Sequence, residues 1–153
     1  MNIRRANLDD AFIILLLLKE MHEGTVLKIP DIKLECLARK VDSVIKNGVV
    51  FVTYNNEGMI TGSIGGIYAN DWWSDEKYLS DLWFFVSKNY RKSRSAIMLV
   101  KNFINHGKSV KMSLRLGHVF SGDIERKDKF FESLHAWRKQ MWSLWGAGNT
   151  TQE

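Results

Sequence analysis

The chain has 153 residues, enough for one domain around one core, and 45% of them are hydrophobic, which excludes a disordered profile. Lys and Arg outnumber Asp and Glu by 22 to 17, and the resulting basic balance points to an anionic partner without choosing among a nucleotide-like cofactor, nucleic acid and an acidic protein surface. The single cysteine, Cys36, excludes an internal disulfide; with no Cys/His cluster at zinc-ligand spacing, no metal is expected and a reducing cytoplasm is the default location.

In chain order, Asn2–Arg5 reads as a short strand. Asn7 followed by Asp10 has the pattern of an N-cap with an acidic third residue. A helix then runs to about His22, with Ala11, Ile14, Leu15, Leu18 and Met21 on one face, and Gly24 ends it. Inside it, residues 11–18 form an apolar run too short to cross a bilayer, preceded by Asp9 and Asp10 where a signal peptide would be basic. The run therefore predicts a buried helix segment. A second helix is expected over residues 32–46, carrying Leu34, Leu37, Ala38, Val41 and Ile45 at helical spacing, with Asn47-Gly48 as the stop.

The middle of the chain is strand-like. Val49–Tyr54 is β-branched and aromatic, residues 55–58 form a turn, and residues 59–68 follow as the paired strand. Trp72-Trp73 lies between Asn70-Asp71 and Ser74-Asp75-Glu76. It would either cover an acceptor or partner surface or close the core at a hairpin end, and the core is the expectation taken here. Residues 78–86 form another strand, and the unbroken hydrophobicity of its last five residues implies burial on both faces. A polar, basic loop over residues 87–95 leads into a helix beginning near Arg94 and ended by Gly107, with Ala96, Leu99, Val100, Phe103 and Ile104 along one side. Alternation over residues 110–116 predicts a strand, residues 127–134 a helix, residues 138–145 a last strand, and residues 146–153 a frayed tail. The order β-α-α-β-β-β-α-β-α-β predicts a single α/β (α+β) domain over residues 1–145, a mixed sheet with helices on both faces.

The strand–loop–helix unit at residues 82–104 carries the chemistry. A helix start presents unpaired N–H groups and partial positive charge, so a loop entering it would cradle phosphates. Here the loop adds Lys88, Arg91, Lys92 and Arg94, with Ser93 and Ser95 as hydroxyl donors. On charge alone a solvated basic turn with an ordinary helix cap is the commoner arrangement.

The run Val86-Ser87-Lys88-Asn89-Tyr90-Arg91-Lys92-Ser93-Arg94-Ser95-Ala96 resembles the acetyl-coenzyme A motif of the GNAT superfamily of N-acetyltransferases, in which a valine-ended strand meets an Arg/Gln-x-x-Gly-x-Gly/Ala loop. Arg91 matches its first position and Ala96 its last, while Arg94 stands where glycine is usual and would let the backbone approach a pyrophosphate closely. A branch of GNAT-like proteins, several encoded by phages, is similar in having Arg-Arg-Ser-Arg-Ala-Ala at this loop after a Glu-Leu-Trp-Trp-Tyr-Val-type strand. Residues 81–86 and 91–96 resemble both parts, and Met21-His22-Glu23 resembles the end of that branch's first helix.

The resemblance implies a GNAT-like, mostly antiparallel sheet with a splayed central strand pair around Val86 and Leu116. The backbone of Phe85 and Val86 would bond the pantetheine arm, and Arg91, Lys92, Ser93, Arg94, Ser95 and Ala96 would bind the pyrophosphate. It further implies transfer of an acetyl group from acetyl-coenzyme A to an amine by direct attack in a ternary complex. Such transfer needs a base for the amine, a polarised carbonyl and a proton for the leaving thiolate. Asp81 and Glu76 are the candidate bases, Asp81 preferred, and the alternative for Asp81 is a strand start or a lysine partner. His22 and Glu23 would border the acceptor site, or simply be solvated at a helix end. The superfamily's tyrosine acid, in a Phe-Tyr-Glu-x-Leu-Gly-like segment, falls on Phe131 of Phe130-Phe131-Glu132-Ser133-Leu134-His135. Phenylalanine donates no proton, so water or another residue would serve, or activity would be weak or lost.

Three functions compete: an acetyl-coenzyme A-dependent N-acetyltransferase acting on a small-molecule or protein amine; a catalytically weak GNAT-fold binding or inhibitory protein; and, last, nucleic-acid binding through the Arg91–Arg94 cluster. The place would be the cytoplasm, or a host's cytoplasm for a phage protein, with a homodimer open and no membrane association expected.

Overall fold

A computed structural model describes residues 1–25 and 30–117. The helix expected at residues 127–134, the strand at 138–145, the tail, Phe131 and His135 lie outside the described residues.

Strand β1 (Asn2–Arg5) leads through a 3-10 turn (Leu8–Asp10) into helix α1 (Ala11–Glu23); helix α2 (Leu34–Asn47), strands β2 (Val49–Tyr54), β3 (Ile60–Asn70) and β4 (Lys77–Val86), helix α3 (Ser95–Ser109) and strand β5 (Ser113–Arg115) follow. The entry to α1 is fixed as Asn7 and Asp10 predict. Asn7 Oδ1 accepts the Asp9 N–H at 2.9 Å and Asp10 Oδ2 accepts the Asn7 N–H at 2.9 Å. Arg4 grips the same carboxylate with both terminal nitrogens, at 2.7 and 2.9 Å. Those guanidinium bonds hold the Asp10 carboxyl below the usual carboxylate range despite its burial.

The five strands lie in the order β1-β2-β3-β4-β5. All neighbours are antiparallel except β4 and β5, which are parallel and joined across the sheet by α3. This is the mixed, mostly antiparallel sheet that the element order predicts. Helices α1 and α2 pack on one face with Val50, Val52 and Trp83; α3 packs on the other with Val49, Ile64 and Leu79. Gly65 and Gly66 of β3 make both faces possible. A Cβ on Gly65 would lie 2.4 Å from the Trp83 ring, and one on Gly66 would lie 2.5 Å from the Phe103 ring. Adjacent positions of a strand face opposite ways, so the two missing side chains let one large ring lie against the sheet on each side.

Several boundaries depart from the sequence reading. Helix α1 buries Ile14, Leu17, Leu18 and Met21, with Leu17 in the place expected of Leu15, while Phe12, Ile13 and Leu16 stay exposed. A helix lying on a sheet buries one stripe, so an apolar run is not buried all round. Leu34 and Ala38 of α2 are also exposed, because only its later turns reach the sheet through Val41 and Val44. Helix α3 runs two residues past Gly107. A Cβ there would lie 2.4 Å from Leu114, so this glycine serves close packing and not a helix stop. Val110 is consequently the exposed C-cap, Lys111 turns the chain with φ 57°, and β5 shrinks to three residues.

Trp72 and Trp73 do not close the core. They are 91% and 66% exposed, stacked edge to face with ring centroids 5.3 Å apart, at the tip of the β3–β4 hairpin. The turn carries them beyond the last strand pair, Asn70 with Lys77, clear of both helical layers.

Candidate functional site

Strands β4 and β5 start together and then part. Their pairing covers only Tyr78–Ser113, Leu79–Leu114 and Ser80–Arg115, while β4 continues to Val86. Two features set the parting. First, Gly65 faces Trp83 and Gly66 faces Asp81, so Leu82 is an extra residue that bulges β4 just beyond the last β5 pair. Second, half-buried Asp81 reaches across the opening: its Oδ1 accepts the Gly117 N–H at 2.9 Å. The splay expected around Val86 and Leu116 thus opens at Asp81, with that carboxylate bridging its start.

At the far end of β4 the chain passes Ser87, makes a 3-10 turn (Lys88–Tyr90) and enters α3 at Ser95. The exit of the loop is fixed by neutral hydrogen bonds. Ser93 donates its N–H and hydroxyl to the Tyr90 carbonyl at 3.0 and 2.6 Å, and Ser93 Oγ accepts the Ser95 N–H at 3.2 Å. Beneath it lies a line of fully buried hydroxyls: Ser95 Oγ is 2.9 Å from Thr61 Oγ1, which is 2.9 Å from Thr53 Oγ1. Thr61 is itself a bulge, the unmatched residue between the Thr53–Gly62 and Tyr54–Ile60 pairs, and its carbonyl accepts the Ser87 N–H at 2.9 Å.

The first backbone bond into α3 is Met98 N–H to the Arg94 carbonyl, so the Ala96 and Ile97 N–H groups lie ahead of the helical ladder. Arg94, in the usual glycine position, has φ −79° and ψ 0° and is exposed. No left-handed backbone is required there, and an arginine occupies the position without strain. Lys88, Arg91 and Lys92 are also exposed, and no acidic side chain among the described residues pairs with any of the four cations. Arg91 is partly engaged: its Nε donates to the Val86 carbonyl at 3.2 Å and its guanidinium lies 5.3 Å from the Phe85 ring centroid. Orphan N–H groups, uncommitted cations and an unstrained backbone are what a diphosphate would need.

The structure brings Phe85, Val86, Arg91, Lys92, Ser93, Arg94, Ser95 and Ala96 to one end of β4, with Asp81 at the mouth of the splay. Ser95 faces inward, fully buried, so it supports the loop from below. Glu76 stands apart, exposed in the hairpin turn five residues before Asp81, about 16 Å along an extended chain. His22 is half-buried, with Nε2 2.9 Å from the Pro30 carbonyl, and Glu23 is exposed at 4.0 Å from Lys19. Both lie at the end of α1. Thr53, Thr61 and Glu20 are contributors that no motif reveals. Glu20 Oε1 accepts the Lys88 N–H at 2.9 Å from a helix 68 residues away, a pairing without a local pattern.

The other end of β4 spends its charge. Arg115 makes a twin bond to Asp71, at 2.9 and 2.7 Å, and lies over the Tyr78 ring at 3.6 Å from its centroid. The guanidinium bonds hold the Asp71 carboxyl below the usual range.

No family model and no curated protein matches the sequence. Solved structures do share the fold. An aminoglycoside antibiotic 6'-N-acetyltransferase from Acinetobacter haemolyticus superposes with a TM-score of 0.67 at 12% identity, over 89% of this chain and 90% of that one. An aminoglycoside acetyltransferase from an uncultured soil metagenomic sample, solved with sisomicin, gives 0.63 at 16%, over 88% and 87%. A ribosomal-protein-alanine N-acetyltransferase from Brucella melitensis biovar Abortus gives 0.63 at 14%, over 89% and 92%. At these identities the likeness is one of fold: the chain has the mixed α+β architecture found in acetyltransferases, over nearly the whole of each chain.

Proposed function

We propose that the protein, over residues 1–145, is an N-acetyltransferase that uses acetyl-coenzyme A and a small-molecule amine acceptor, joined by direct attack in a ternary complex. One observation carries the reading: β4 leaves β5 at Asp81 and ends in a loop that offers the orphan N–H groups of α3 beside four cations without acidic partners among the described residues. The fold shared with aminoglycoside acetyltransferases supports an amine acceptor, and the sequence likeness of residues 81–96 to a phage-carried branch supports the coenzyme. Among the described residues no helix is long and apolar enough to cross a membrane.

In this reading the Ala96 and Ile97 N–H groups and the Arg91, Lys92 and Arg94 side chains hold the diphosphate. The Phe85 and Val86 backbone aligns the pantetheine arm along the splay. When bound, acetyl-coenzyme A supplies an activated acyl carbon as a thioester. Asp81, at the mouth of the splay, takes the proton from the attacking amine as the C–N bond forms and the C–S bond breaks. Water returns a proton to the leaving thiolate, because Phe131 cannot.

A second reading has an observation of its own. The Asp81 carboxylate already accepts the Gly117 N–H, as a strap between strands would, and with Phe131 this favours a weakly active or inactive binding protein. Thiol release from acetyl-coenzyme A with mixed amine acceptors separates the two. Asp81→Asn keeps an oxygen for Gly117 but loses the base. A turnover drop of about 100-fold with unchanged melting supports catalysis. Turnover equal to the parent's makes Asp81 a strap only, and no turnover in the parent favours the binding protein.

A further inference from the structure

The last turn of α1 and the first residues after β4 are joined by one side chain. The Glu20 carboxylate accepts the Lys88 N–H at 2.9 Å through Oε1 and the Ser87 hydroxyl at 3.1 Å through Oε2. It is half-buried, and no cationic side chain among the described residues pairs with it. Two aspects of this placement run against simple electrostatics. A carboxylate in the last turn of a helix sits in the negative end of the helix field. It also stands next to a loop whose other features suit an anion. What this charge does make is two bonds that fix the start of the loop.

That geometry is specific. The Ser87 N–H donates to the Thr61 carbonyl, the Tyr90 N–H donates to the Ser87 carbonyl, and the Ser93 N–H donates to the Tyr90 carbonyl, so each step of the loop is registered on the one before it. Thr61 holds this series at the strand, and the buried hydroxyls hold its exit at Ser95. Glu20 supplies the remaining tie, at Ser87 and Lys88, and it comes from the opposite side of the sheet to α3. The same helix turn carries His22, whose ring holds the Pro30 carbonyl. The Pro30 carbonyl and the loop that enters α3 are therefore both held from the last turn of α1.

Resting on the coenzyme reading above, we infer that Glu20 is a positioning residue for the coenzyme loop: it sets the entry of the Lys88–Tyr90 turn so that the α3 N–H groups and the loop cations face a diphosphate together. It touches no ligand itself. Its effect is on coenzyme affinity, through the backbone it holds.

The test uses the full chain with coenzyme A as the probe. Glu20→Ala is expected to weaken calorimetric binding about tenfold and to raise the KM for acetyl-coenzyme A while leaving that for the acceptor unchanged, from the loss of the two bonds that hold Ser87 and Lys88. Hydrogen exchange should quicken in residues 87–94 and stay at the parent rate in β2 and β3. Glu20→Gln keeps an oxygen acceptor for Lys88 and should stay within about threefold of the parent. Glu35→Ala, on exposed α2 surface, should change nothing. Binding by Glu20→Ala equal to the parent's, or exchange changes spread over the whole sheet, would overturn the inference; so would Glu20→Gln failing as badly as alanine, since charge would then be the cause. An absence of binding in the parent strikes the coenzyme reading instead, and is read from the same titration.

Discussion

The two ends of β4 are built from opposite materials. At its start, a twin ion pair between Asp71 and Arg115 braces the hairpin turn, and the surface above it shows two exposed tryptophans. At its end, the loop is braced by serine and threonine hydroxyls and one carboxylate acting on a backbone N–H, while its four cations have no acidic partner among the described residues. The contrast supports the proposed place of the anion at the end of β4. A guanidinium whose two terminal nitrogens are taken by a carboxylate offers little to a phosphate, whereas a loop held mainly through its hydroxyls and backbone keeps its cations available.

The largest effect expected from breaking this contrast is at Thr61. Thr61→Val keeps the volume but leaves Ser95 Oγ and Thr53 Oγ1 without their shared partner, at a cost of about 3 kcal/mol. Denaturant unfolding measures it; a loss under about 1 kcal/mol would mean that the buried hydroxyls do not organise the loop. Acid should then distinguish the ends. The Asp71 pKa is depressed in the folded chain by Arg115. Its stabilisation is therefore complete above the ordinary carboxylate value, near 4, and is lost as pH falls through the lower folded value. Exchange in residues 70–77, corrected for the intrinsic rate, should quicken as the pH is taken below about 4, by at most the loss of a surface ion pair, while the hydroxyl-held exit at Ser95 should keep its protection. Equal quickening at both would remove the distinction. The smallest effect is at the tip: Trp72→Ala should leave stability within about 0.5 kcal/mol of the parent, since the ring covers nothing. A clear loss would show that the tryptophan pair has a packing role after all.

Much of this arrangement was legible in the residues. Asn7 with Asp10 marks the start of α1, the β-branched runs mark β2 and β3, and the position of the basic loop between a hydrophobic strand and a helix is plain from residues 82–104. What sequence patterns do not carry is contact across the chain. Thr61 becomes a support only because a bulge aims its hydroxyl under α3, and Glu20 only because α1 lies beside the end of β4. The reading of Gly107 as a stop failed for a related reason, since the glycine answers to Leu114, a tertiary neighbour. Trp72-Trp73 failed differently: large aromatics are usually buried, and only the geometry of the hairpin tip shows that the two rings meet each other and stay exposed. At Arg94 the backbone has a negative φ that any residue adopts, so replacing the usual glycine costs no backbone strain.

The claim that the anion belongs at the end of β4 and not at its start is tested most directly by titrating coenzyme A into the full chain and into two charge variants. The account predicts one-site binding, at least tenfold weaker for Arg91→Glu, where a charge beside the diphosphate is reversed, and unchanged for Arg115→Gln at the other end. No binding to the parent chain, or an equal loss in both variants, would contradict it.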